Sequence, residues 1–143
     1  LIEYNPLILD TKVKRNASDI LKVQVQETPK KRDSLRKMRD LVLPLRDVIS
    51  SGKLSEFGKI LHENWILKQN LTNVISNIEI DQYYIRAMRA GATGGKLLGA
   101  GGGGFMLLYV EPDKQKSVIN ELKDLFHLKT SFDRIGTKIT YME

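Results

Sequence analysis

The chain has 143 residues, the size of one domain, and its 41% hydrophobic content can supply a core. It has no cysteine, which excludes disulfides, thiolate zinc sites and cysteine nucleophiles, and no run of about 18 apolar residues that would span a membrane. A net charge of +6 suits anionic partners such as phosphorylated metabolites or nucleic acid, although a solvated basic surface accounts more simply for any single lysine. The first residues lack the basic region and apolar stretch of a signal peptide, and also an initiator Met, so a truncated or processed cytoplasmic chain is expected. In chain order, residues 7–10 read as a short strand. Asn16 or Ser18 caps a helix running to about Glu27, Pro29 closes that region, and 27–33 is the one stretch open to disorder. Over 34–51, Leu35, Met38, Leu41, Val42, Leu45, Val48 and Ile49 share one helical face, with a kink expected at Pro44 and a stop at Gly52. A third helix covers 54 to about 71, and a fourth runs from about 80 to 90. Residues 105–110 read as a buried strand. Pro112 opens a helix to about Phe126, with Val118, Ile119, Leu122, Leu125 and Phe126 facing the core. Strands at 129–132 and 137–141 are joined by a hairpin through Asp133 and Gly136. Helices dominate the first half and strands the second, which argues for an α+β fold with an antiparallel sheet.

Residues 91–105 hold eight of the eleven glycines. Glycine accepts positive φ and lets backbone approach another group closely. Three phosphate-binding devices compete for such a run. A Walker A loop needs Ser or Thr after its lysine, but Leu97 follows Lys96 and Ala90 holds the place of the motif's first glycine. Gly99, Gly101 and Gly104 match G-x-G-x-x-G, yet that fingerprint must open a helix, and here an apolar strand follows.

The third device fits. The run resembles the third motif of the GHMP kinases, the superfamily of galactokinase, homoserine kinase, mevalonate kinase and phosphomevalonate kinase. Gly91, Ala92, Gly94, Gly95, Lys96, Gly99, Ala100, Gly101, Gly103, Gly104 and Phe105 all match it. Segments 15–21, 62–68 and 80–90 further resemble the C-terminal half of sugar kinases acting on D-glycero-D-manno-heptose 7-phosphate, and of related fucokinases. The resemblance implies a ferredoxin-like sandwich. It implies that residues 1–143 are a GHMP kinase C-terminal domain whose N-terminal domain, with its nucleotide loop, any catalytic Asp and the Mg²⁺ ligands, is absent here. The cofactors would be ATP and Mg²⁺, the reaction γ-phosphate transfer to a sugar or sugar phosphate, and the chain alone should be inactive.

Candidate contacts follow. Gly99, Ala100, Gly101, Gly102, Gly103 and Gly104 are expected to approach the phosphates through backbone N–H groups. Lys96 either contacts a phosphate or makes a structural bond to the loop. Helical spacing puts His62, Trp65 and Lys68 on one side of the third helix. That side is either a sugar-site wall or, as the favoured reading, a core Trp with a solvated Lys. Arg15 can bind a sugar phosphate through its fork, but a plain surface Arg is preferred. No catalytic residue and no metal ligand is assigned, since His62 and His127 are too few and too far apart. Two rivals remain: a non-catalytic ferredoxin-like binding or dimerisation module with a structural glycine hairpin, and a nucleic-acid binder. The second is weaker because 105–110 lacks the basic-aromatic pattern of an RNA-recognition motif.

Overall fold

In the computed structural model, residues 5–133, 135–138 and 141 are described. Strand β1 (Pro6–Asp10) alternates half-buried and buried positions, turning Leu7 and Leu9 inward, the pattern of a strand with one covered face. A helical excursion follows: α1 (Ala17–Glu27), a 3₁₀ turn (Thr28–Lys31), α2 (Arg32–Asp40), α3 (Val42–Ser51), α4 (Ser55–Gln69) and α5 (Ile78–Ala90). The chain then returns through β2 (Ala92–Leu97) and β3 (Phe105–Val110), crosses in α6 (Pro112–Glu121), and ends its ordered pattern in β4 (Phe126–Leu128). The four strands form one antiparallel sheet in the order β2-β3-β1-β4. A β1-helices-β2-β3-α6-β4 path with that order is the split βαβ arrangement of the ferredoxin-like fold.

The core lies between one sheet face and the helices. Leu7, Leu9, Leu97, Met106, Leu108 and Val110 meet Ile80, Tyr84 and Ala87 of α5 and Val118 of α6, with Leu122 just beyond. Trp65 of α4 joins them at 0% exposure. Helix α4 lies against β2, and glycine is what permits it. A Cβ on Gly94 would stand 1.7 Å from the carbonyl oxygen of Gly58, and one on Gly58 would stand 2.0 Å from Thr93 Oγ1.

Several expectations are corrected. The single kinked helix over 34–51 is two helices that part at Leu41. Pro44 has no N–H to give the carbonyl of Asp40, and its ring crowds that carbonyl, so the break falls one turn upstream of the proline. No residue of α2 or α3 is fully buried; on the shared face Met38, Leu41, Leu45 and Val48 are half-buried while Leu35, Val42 and Ile49 are exposed. Residues 27–33, read as open to disorder, are helical. Helix α6 stops at Glu121, and Phe126, expected to face the core, is 63% exposed on β4. The fourth strand is 126–128, not 129–132, because the partner Asp10 of β1 pairs with Phe126. Residues 129–133 carry no strand. Part of the expected 137–141 strand and of the hairpin through Asp133 and Gly136 lies outside the described residues, and 135–138 are not strand.

Candidate functional site

The first half of the glycine-rich run is strand β2, and only 98–104 form the bend to β3. The Leu98 amide donates to the Phe105 carbonyl at 2.8 Å and closes the bend. Inside it Gly99, Gly101, Gly102 and Gly104 take φ of 74, 113, 73 and 88°. Side-chain-bearing residues in left-handed backbone would each be strained by about 1–2 kcal/mol, so this path requires its glycines.

Neighbouring segments pin the bend. The Gly102 amide donates to the Ile75 carbonyl (2.7 Å) and the Gly104 amide to the Val13 carbonyl (2.9 Å). Thr11 donates to the Gly104 carbonyl through its amide (2.9 Å) and its hydroxyl (2.7 Å). Asn77 caps α5 by accepting from the Ile80 amide (3.0 Å), and its Nδ2 donates to the Gly102 carbonyl (3.3 Å). An added Cβ would come within 2.8 Å of the Ile75 carbonyl at Gly101, 2.5 Å of Ile20 Cδ1 at Gly102 and 2.1 Å of the Val13 carbonyl at Gly103. Those three glycines therefore serve the chain's own packing. Gly99 and Gly104 have nothing within 4 Å of the added atom, and Gly99 is exposed. Among the described residues, the amides of Gly99, Ala100, Gly101 and Gly103 donate to no acceptor.

Beside the bend lies an open cavity of about 520 Å³, walled by its backbone on one side and by Lys12, Lys14 and Arg15 on the other, with Asp10 also in the wall. Lys12 adopts φ 60°, the only positive φ of a non-glycine among the described residues. Its amide donates to Asp10 Oδ1 (2.8 Å) and its Nζ to the Asp124 carbonyl (2.7 Å), which anchor the turn from β1 toward α1. Asn16 Oδ1 accepts the Ser18 amide at 3.0 Å and starts α1.

Behind the bend stand two more cations. Lys68, only 9% exposed, donates from Nζ to the Gly99 carbonyl at 2.5 Å. Burial, followed by the nearby Lys96 charge, lowers its ammonium to about 8. Lys96 donates to Asn64 Oδ1 of α4 (3.1 Å), and burial lowers it as well. Neither has a carboxylate partner among the described residues.

The predicted residues thus divide. Gly99, Ala100, Gly101, Gly103, Gly104 and Arg15 line one cavity, whereas Gly102 is buried against Ile20 and Val74 and does not line it. Lys68 stands behind the bend as an anchor, not solvated as the favoured reading had it, and Lys96 ties β2 to α4. Trp65 is fully enclosed beside Tyr84, with ring centroids 6.3 Å apart, so its indole presents no face to a ligand. His62 Nδ1 lies 2.7 Å from the Tyr84 hydroxyl, whose pKa burial pushes up. Lys12, Lys14, Thr11 and Asn77 were not singled out from the sequence. The basic run 12–15 directly after a strand is the signal that offered the first two. Among the described residues no group of three His, Asp or Glu side chains is placed to hold a metal ion, and no helix is long and apolar enough to cross a membrane.

Known proteins resemble this chain in sequence and in fold. The family model described as "GHMP kinases C terminal" matches residues 45–128. The chain is 26% identical over 124 residues to D-glycero-alpha-D-manno-heptose 7-phosphate kinase of Campylobacter jejuni, covering 85% of this chain and 37% of that protein. It is 38% identical over 78 residues to the galactokinase of Pyrococcus furiosus, covering 54% of this chain and 22% of that one. The chain therefore spans well under half the length of either relative. Among solved structures, L. major mevalonate kinase in complex with R-mevalonate superposes with a TM-score of 0.74 over 85% of this chain and 40% of its own, at 17% identity, a likeness of fold alone. With the family match running from α3 through β4, more than half of its length, this chain belongs to the GHMP kinases and corresponds to their C-terminal part.

Proposed function

We propose that residues 1–143 are the C-terminal domain of an ATP-dependent kinase that transfers the γ-phosphate of ATP to a hydroxyl of a sugar or sugar phosphate, heptose 7-phosphate first and galactose- or fucose-type sugars next. The observation that carries this reading is the bend at Gly99–Gly104, where four uncommitted amides border an open cavity walled by cations. Phosphoryl transfer is promoted chiefly by positioning and by neutralising charge on the transferred group. Backbone N–H groups do this without side-chain bulk, and the open space at Gly99 leaves room for a phosphate oxygen to come close. Lys68, bound to the Gly99 carbonyl, adds positive charge behind the bend and fixes its path. Ala100, Gly101, Gly102, Gly103 and Gly104 shape the nucleotide side, and Lys96 holds β2 to α4 behind them. Mg²⁺ would screen the phosphate charges. Among the described residues no group of three His, Asp or Glu side chains is placed to hold it. The nucleotide loop and the metal ligands belong to a partner N-terminal domain, and the enzyme works on small molecules in the cytoplasm.

A second reading has one observation in its favour. Gly101, Gly102 and Gly103 are required by internal packing whether or not a ligand binds, which is what a non-catalytic module with a structural glycine hairpin would show. The deciding experiment uses the protein together with its N-terminal domain, ATP, Mg²⁺ and a panel of sugars and sugar phosphates, with ADP release as the readout. Turnover of at least one sugar, with none from the 143-residue chain alone, is the expected result. An intact protein that turns over none of them, or an isolated chain that does, overturns the proposal.

A further inference from the structure

Two carbonyls of the glycine bend are gripped from behind by side chains. Lys68 of α4 donates to the Gly99 carbonyl at 2.5 Å, and Asn77 Nδ2, at the start of α5, donates to the Gly102 carbonyl at 3.3 Å. The Gly102 amide donates to the carbonyl of Ile75, which lies between them in the chain, at 2.7 Å. One continuous stretch, 68–77, thus holds the bend at three atoms. In a trans peptide the C=O and N–H point in opposite directions, and the peptides of the bend are trans. The plane that turns the Gly99 carbonyl toward Lys68 therefore turns the Ala100 N–H away from it. The plane that turns the Gly102 carbonyl toward Asn77 does the same for the Gly103 N–H. Ala100 and Gly103 both line the open cavity, and among the described residues neither amide has an acceptor. Of the four uncommitted amides, only these two belong to peptide planes clamped by a side chain of the described residues.

The charge behind this clamp is unbalanced. Lys68 is nine-tenths buried, and among the described residues neither it nor Lys96 has a carboxylate partner. Burial, and then the Lys96 charge, work against its ammonium. Buried charges are ordinarily paired, because an isolated one is costly where the dielectric is low. The place for the missing partner is the other side of the peptide. An ammonium on the Gly99 oxygen polarises the peptide unit and strengthens the Ala100 N–H as a donor, since bonds in such a chain reinforce one another. An anion held by that N–H is the counter-charge that the described residues do not supply. We infer that Lys68 and Asn77 are positioning residues that hold the Ala100 and Gly103 amides as paired donors to one phosphoryl group, and that this group balances the Lys68 charge across the Gly99–Ala100 peptide. The paired amides stand on the geometry of the bend; that the group is the terminal phosphoryl of ATP rests on the kinase reading above.

The test uses the protein together with its N-terminal domain, isotope-labelled at alanine and glycine for amide NMR. Inorganic pyrophosphate and, separately, ATP with Mg²⁺ should each shift the Ala100 and Gly103 amides in a saturable way. Lys68→Met should weaken ATP about tenfold and ADP by less than about twofold, and should shrink the Ala100 shift more than the Gly103 shift. Lys68→Arg keeps the cation and should recover most of the loss. Asn77→Ser keeps a capping residue for α5 but is too short to hold the Gly102 carbonyl, so it should shrink the Gly103 shift more than the Ala100 shift. Retained ADP binding shows that each variant folds, and Asn77→Ser decides alone if Lys68→Met does not. Equal losses of ATP and ADP mark a merely structural role and overturn the inference, as does saturable binding that leaves both amides unmoved. If ATP binds wild type and variants alike, the inference falls and the kinase reading stands. If pyrophosphate moves both amides while ATP does not bind, the kinase reading falls and the anion site stands.

Discussion

Placing a methyl group on Gly94 tests the contact that fixes the site's frame. The added Cβ would sit 1.7 Å from the Gly58 carbonyl oxygen, 2.6 Å from its carbonyl carbon and 3.1 Å from its Cα. Every one of those atoms is backbone, so no side-chain rotation relieves the overlap. Helix α4 would have to retreat by about 1.5 Å to restore ordinary contact. That helix carries Trp65, Leu61 and Lys68, all buried. Overpacking typically costs about 1–3 kcal/mol, and a backbone-to-backbone clash belongs at the upper end, so Gly94→Ala should lose about 3 kcal/mol. For a domain of 143 residues this lowers the melting temperature by about 10 °C. Urea unfolding followed by the fluorescence of Trp65, which is 0% exposed and the only Trp, gives the measurement. Gly52→Ala is the control, because Gly52 has φ +71° and nothing within 4 Å, leaving only backbone strain of about 1 kcal/mol. If Gly94→Ala destabilises no more than Gly52→Ala, the close approach of α4 to β2 is wrong.

Three further outcomes follow from the same geometry. The Lys68 ammonium is lowered from 10.5 to about 8 in the folded chain, so above about pH 8 the unfolded chain binds the extra proton and stability rises with pH. Lys68→Met should remove that rise, read as the difference in urea midpoint between wild type and variant from about pH 7 to pH 9; a parallel pH dependence of the two proteins would contradict it. Asn77→Ala removes both the α5 cap and the bond to the Gly102 carbonyl, so it should cost about 1–2 kcal/mol and speed hydrogen exchange at Gly102. Gly99→Ala, with φ +74° and open surroundings, should cost only about 1 kcal/mol of stability yet weaken ATP binding more than Gly52→Ala does, as measured by titration of the folded variants.

Much of this arrangement was readable where the chemistry is local. Asn16 and Gly52 act as the caps their residue types imply, Asn16 through its side chain and Gly52 through a left-handed φ of 71°. The run 105–110 is a strand. The matched positions from Gly91 to Phe105 pointed to the family before any coordinates. Strand β2 was not readable, because Ala-Thr-Gly-Gly-Lys-Leu shows no apolar alternation; it is a strand because β3 pairs with it and α4 covers it. The apolar stripe over 34–51 read as one face of a single kinked helix, yet it is shared between α2 and α3 and no residue of it is fully buried. Periodicity reports that a face is apolar, not what it meets. Phe126 was taken as the end of a helix, and the open edge of β1 drew it into β4 instead.

The sequence by itself determined the family, the ends of several helices and the existence of a glycine bend before an apolar strand, because caps, prolines and left-handed backbone act over a few residues. The roles of the individual glycines were decided only by tertiary structure. Gly58 and Gly94 let a helix touch a strand, Gly101 to Gly103 let distant segments close on the bend, and Gly99 alone of the tightly clustered set is both exposed and unobstructed. Which partner an absent side chain would strike depends on segments far apart in the chain, and only folding brings them together.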